Sequence, residues 1–185
     1  MNVQEATTRR LPDLKGRYLP ENCRETINTI LKETYGYEQF RNLEIYDDLS
    51  KGKEKLCISQ GQLIENVILE VEKAWKGETQ VDNILLTAPT GSGKSLLFQL
   101  PAIYLGKEYN LLTIVVSPLK ALIVDQVESL QELGYTRVAY ASSDLSPEQK
   151  MEVYRQVREG EIDLFYLSPE LLLSYDIKHF VGERR

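Results

Sequence analysis

The residues Ala88-Pro89-Thr90-Gly91-Ser92-Gly93-Lys94-Ser95 put two glycines, a lysine and hydroxyls into one short turn. They match the phosphate-loop pattern G-x-x-x-x-G-K-[ST] except that Ala88 replaces the first glycine. Each residue type has a physical task. Gly91 and Gly93 allow a tight turn in which backbone N–H groups of Thr90 to Ser95 converge on an anion. Lys94 brings a point charge to the β- and γ-phosphates of a nucleotide and is the candidate catalytic residue. The Ser95 hydroxyl is a candidate Mg²⁺ ligand. The chemistry expected is the binding of a nucleoside triphosphate.

Such a loop needs a strand before it and a helix after it. The apolar stretch 83–89 reads as a buried strand, and KSLLFQLPAIYL, residues 94–105, as the helix. Upstream, residues 1–20 read as a polar arm and 21–35 as a helix with Ile27, Ile30 and Leu31 on one stripe. The charged stretch 42–57 reads as a loop or short helix. From Ser59 the positions Leu63, Ile64, Val67, Ile68, Val71 and Trp75 form an apolar helical face that Gly77 ends.

Downstream, strands at 111–117, 136–142 and 163–168 alternate with helices at 119–133, 146–160 and 169–180. The first of these helices carries Leu119, Leu122, Ile123, Val127 and Leu130 on one side and stops at Gly134. The second opens with Ser146, Pro147 and Gln149, a capping-box pattern. Alternating apolar strands and helices define an α/β fold with a mostly parallel sheet covered on both faces.

Composition narrows the class further. A net charge of −6 excludes a generic basic nucleic-acid coat, though not a local phosphate groove. No apolar run approaches the roughly 20 residues of a membrane span, so a cytoplasmic protein without membrane contact is the default. Cys23 and Cys57 form no C-x-x-C pair and read as reduced thiols. His179, the only histidine, has no ligand partners in sequence and reads as a surface or packing residue.

The phosphate loop with LLFQLPAIYL after it resembles motif I of superfamily 2 helicases, most closely the RecQ-like group. SPLKALIVDQV (117–127) is similar to that group's motif Ia, and YLSPELLL (166–173) to its Y-x-[TS]-P-E-R motif, with Leu171 in place of arginine. YGYEQFR (35–41) resembles the start of its adenine-reading motif 0. The resemblance implies a three-layer RecA-like domain, ATP and Mg²⁺ as ligands, and DNA as partner. It also implies that Ser117, Pro118, Leu119 and Lys120, with Ser168 and Pro169, follow the DNA phosphate backbone. Both Ser-Pro pairs fall where a strand gives way to a helix, at the ligand-binding edge of an open α/β sheet.

Two departures stand out. No glutamine follows Arg41 closely, so residues 42–58 read as an insertion and Gln62 is expected to take the adenine-reading role. No Asp-Glu dipeptide occurs, so the carboxylates of the family's D-E-x-H box are expected beyond Arg185. The organisation expected is an N-terminal arm, helical region and insertion in 1–57. A partial ATP-binding domain in 58–185 follows, incomplete at its C-terminal side, with the remaining helicase domains missing. Such a chain is expected to bind nucleotide weakly and not to unwind DNA alone. A small-molecule kinase is an alternative, but Arg137 is the only arginine between the loop and residue 150. A non-catalytic nucleotide- or partner-binding module is another.

Overall fold

The computed structural model describes residues 18–46, 55–87 and 90–173. Along the chain run α1 (Glu21–Tyr35), β1 (Asn42–Tyr46), β2 (Lys55–Ser59), α2 (Gln60–Trp75), α3 (Leu96–Tyr109), β3 (Thr113–Val116), α4 (Lys120–Glu132), β4 (Val138–Ala141), α5 (Pro147–Arg158), β5 (Leu164–Leu167) and α6 (Pro169–Leu172). The chain forms two compact units: the first takes the described residues of 1–25 and 39–98, the second those of 26–38 and 99–185.

In the first unit β1 and β2 pair antiparallel, from Asn42 opposite Ser59 to Tyr46 opposite Lys55. At 42–46 and 55–57 this corrects the reading of 42–57 as a loop or short helix; residues 47–54 lie outside the described residues. Apolar residues recur every second position at Leu43 and Ile45 and at Leu56 and Ile58, a strand period masked by the charges around it. The pairing returns the chain to its starting point, where the Gln60 N–H donates to the Arg41 carbonyl at 2.9 Å. From there α2 starts on a Ser59 cap whose hydroxyl accepts the Gly61 N–H. It buries Ile64 and Ile68 of the expected face, while Trp75 at its end is exposed.

Residues 83–87 form no strand, and Ile84 and Leu85 are 49% and 90% exposed. The expected buried strand before the loop is therefore not formed there; Ala88 and Pro89 lie outside the described residues. The physical reason is pairing. A strand exists only where neighbours satisfy its backbone groups, and neither sheet includes this stretch.

The second unit holds a parallel sheet in the order β3-β5-β4. Its central strand, Leu164–Leu167, is buried at all four positions, as the continuous apolar run predicts. One face, with Ala139, Ala141, Phe165 and Leu167, packs against Val153, Tyr154 and Val157 of α5. The other presents Tyr166, whose hydroxyl accepts from the Gln99 amide at 3.1 Å; the same amide donates to Gln126 of α4 at 2.9 Å. Helices thus cover both faces of a parallel sheet, as expected for α/β layering. In α4, Ile123, Val127 and Leu130 are buried, but Leu119 and Leu122 of the expected stripe are exposed. The Ser146–Gln149 capping box of α5 forms as the sequence predicts. Helix α6 covers only the start of 169–180; residues 174–185, with His179, lie outside the described part.

Candidate functional site

The phosphate-loop residues Thr90 to Ser95 belong to the first unit. Gly91 and Gly93 have φ of 81° and 77°, the left-handed region that glycine enters without a Cβ clash. Thr90, Gly91 and Lys94 are exposed, and Ser92, Gly93 and Ser95 half-buried. Lys94 and Ser95 form a turn, not the first residues of the helix: the Leu97 N–H donates to the Lys94 carbonyl at 3.0 Å and the Phe98 N–H to the Ser95 carbonyl at 3.3 Å. Helix α3 begins at Leu96.

The side chain that reaches this loop from α2 is Gln60. Its Nε2 donates to the Ser92 carbonyl at 3.2 Å and, at a longer 3.5 Å, to the Gly93 carbonyl. Its Oε1 accepts the Arg41 N–H at 3.1 Å. Gln62, the expected adenine reader, is half-buried one position beyond Gly61, and its carbonyl accepts the Asn66 amide at 2.8 Å. Gly61 is needed for packing, since a Cβ there would lie 2.7 Å from the Phe40 ring. Sequence reasoning missed Gln60 because its loop partners, Ser92 and Gly93, are more than 30 positions away. In the stretch Ser59-Gln60-Gly61-Gln62 the sequence reading falls on Gln62 and assigns no role to Gln60.

The second unit places the other expected residues on one edge. Val116, Leu167 and Ala141 align across the sheet, so Ser117, Ser168 and Ser142 all follow at its carboxyl end. The Ser117 N–H donates to the Leu167 carbonyl at 3.1 Å, and its hydroxyl accepts the Leu119 N–H at 3.3 Å. Pro118 and Leu119 are exposed, and Ser168 is buried ahead of Pro169. The Ser168 hydroxyl holds the Glu170 carboxyl below its usual range.

Lys120 is engaged by its own unit: its Nζ lies 2.8 Å from Asp144 and 2.5 Å from the Ser143 hydroxyl. Lys120 likewise holds the Asp144 carboxyl low. Both partners are well exposed, and such pairs are weak in water. The Ser142-Ser143-Asp144 turn also belongs to this edge, and its signal in the sequence is its place after a strand, like the two Ser-Pro pairs.

The loop suits a nucleotide phosphate. Its backbone is already in the left-handed glycine conformation, and a lysine and a hydroxyl follow in the next turn. Among the described residues no group of three or more His, Cys, Asp or Glu is arranged to hold a metal ion. The Ser95 hydroxyl is an oxygen of the kind that could serve as one ligand of Mg²⁺.

Residues 62–183 match the DEAD/DEAH box helicase family. The chain is 34% identical to the ATP-dependent DNA helicase RecQ of Synechocystis over 151 residues, 82% of this chain and 25% of that protein. It is 32% identical to the ATP-dependent DNA helicase Q-like 5 of Arabidopsis thaliana over 82% of this chain and 13% of that protein. With the RecQ helicase of Bacillus subtilis the identity is 39% over 51% of this chain and 15% of that protein. The chain thus spans a quarter or less of the length of these relatives. It belongs to the DEAD/DEAH box helicase family, as a RecQ-like segment of a RecA-like motor domain.

Proposed function

We propose that this chain is the ATP-binding N-terminal portion of an ATP-dependent DNA helicase. The observation that carries the reading is the turn at Gly91 and Gly93, with Lys94 and Ser95 directly before α3. In this reading the amides of Thr90 to Ser95 cradle the phosphates, Lys94 neutralises the terminal ones, and Ser95 holds Mg²⁺. Bound Mg²⁺ withdraws charge from the phosphate oxygens. Gln62, on α2 just past the Gln60 brace, remains the proposed adenine reader.

Residues 58–185 are the ATP-binding part, and Ser117, Pro118, Leu119, Lys120, Ser168 and Pro169 the track for the DNA backbone. The track is supported by the shared strand edge that carries both Ser-Pro pairs. A cytoplasmic setting accords with the absence, among the described residues, of a helix long and apolar enough to cross a membrane.

Anisotropy of a labelled single-stranded oligonucleotide tests the DNA half. Binding should weaken with salt, and Lys120→Ala should lower both affinity and the salt slope, the latter by about one. Asp144→Asn should strengthen binding, since it releases Lys120 from its pair. Binding insensitive to salt and to both substitutions would remove the track.

A further inference from the structure

We propose that Gln60 is a positioning residue that presets the polarity of the phosphate loop before any nucleotide arrives. The inference rests on the nucleotide-binding reading above and adds a residue to it. Gln60 is 2% exposed and uses both ends of its carboxamide: Nε2 toward the Ser92 and Gly93 carbonyls, Oε1 toward the Arg41 N–H.

The peptide bond explains the consequence. The Ser92 carbonyl and the Gly93 N–H belong to one planar trans unit and point in opposite directions. The Gly93 carbonyl and the Lys94 N–H form the next unit. Drawing the two oxygens toward Gln60 turns the N–H groups of Gly93 and Lys94 to the opposite side. Those are the donors a phosphate needs, and their orientation is fixed without a ligand.

Each end of the contact constrains the side chain. A carboxylate at position 60 would turn the donor into an acceptor facing two carbonyl oxygens. A hydrocarbon would leave the Arg41 N–H and both carbonyls without this partner. The approach is also close: a Cβ at Gly93 would stand 2.6 Å from the Gln60 Nε2. Through Arg41, the brace is tied to the residue immediately before the β1–β2 hairpin.

The test uses the 185-residue chain with Gln60→Glu, Gln60→Leu and Gln60→Asn, each checked for a cooperative thermal melt. Calorimetric titrations use ATP, GTP and inorganic pyrophosphate, the last a probe with no base. The expected result is about tenfold weaker binding of all three ligands in each variant, with the ATP-to-GTP ratio unchanged. Gln60→Asn, one methylene shorter, keeps the carboxamide and serves if Gln60→Leu does not fold.

Pyrophosphate binding equal to that of the unsubstituted chain would overturn the inference while leaving the nucleotide site intact. So would a changed ATP-to-GTP ratio with normal pyrophosphate binding, since Gln60 would then act on the base. Failure of the unsubstituted chain to bind any of the three would overturn the nucleotide reading itself, and this inference with it.

Discussion

The Asp163 carboxylate, 2% exposed, is gripped by the Arg137 guanidinium through two 2.7 Å hydrogen bonds, Nε to Oδ2 and a terminal nitrogen to Oδ1. The Tyr135 hydroxyl adds a third at 2.8 Å. Paired in this way, a buried charge is tolerated; left alone, it is not. Arg137→Met is expected to destabilise the protein by about 3 kcal/mol or more, because it strands the carboxylate. Tyr135→Phe should cost about 1–2 kcal/mol. Urea unfolding measures both, and equal small losses would show that Asp163 is not held as a charge.

Gly91 and Gly93 share a left-handed φ but not their surroundings. A Cβ at Gly91 meets nothing within 4 Å, whereas at Gly93 it meets the Gln60 amide. Gly91→Ala should therefore cost only backbone strain, about 1–2 kcal/mol. Gly93→Ala should add displacement of the brace and weaken nucleotide binding more. Thermal melts and nucleotide titrations of the two variants make the comparison; equal effects would mean that Gln60 yields freely.

Burial pushes the Tyr166 hydroxyl up to about 12 from an ordinary 10.0. Burial raises Tyr35 and Tyr135 as well. For a group raised in the folded state, the unfolded chain releases its proton first. Stability is then intact below pH 10 and falls as pH climbs toward 12. Tyr166 alone contributes about 2 kcal/mol to that fall. Unfolding midpoints measured across this window should drop, and Tyr166→Phe should drop less steeply. A flat profile would contradict the burial of the phenol.

What the sequence revealed depended on how local the signal was. The Ser146–Gln149 box was legible because a cap is set by residues three apart. The buried stripe of α1 and the apolar run of β5 were legible from period and burial alone. The β1–β2 hairpin was hidden because charged neighbours obscured its two-residue period. The stretch 83–87 was misread because apolar content does not say whether a pairing partner is at hand. At the site, Gly91, Gly93, Lys94 and Ser95 announced themselves by spacing. The Gln60 contact with Ser92 and the Lys120 contact with Asp144 are made by the fold, and no local pattern encodes them.

Residues 90–95 are proposed to hold the phosphates of a nucleotide. The most direct test is a calorimetric titration of ATP with Mg²⁺ into the unsubstituted chain and into Lys94→Ala. Saturable binding at one site is expected, weakened at least about tenfold in Lys94→Ala by the loss of one charge-assisted contact. That role is contradicted if the unsubstituted chain does not bind ATP, or if Lys94→Ala binds it equally well.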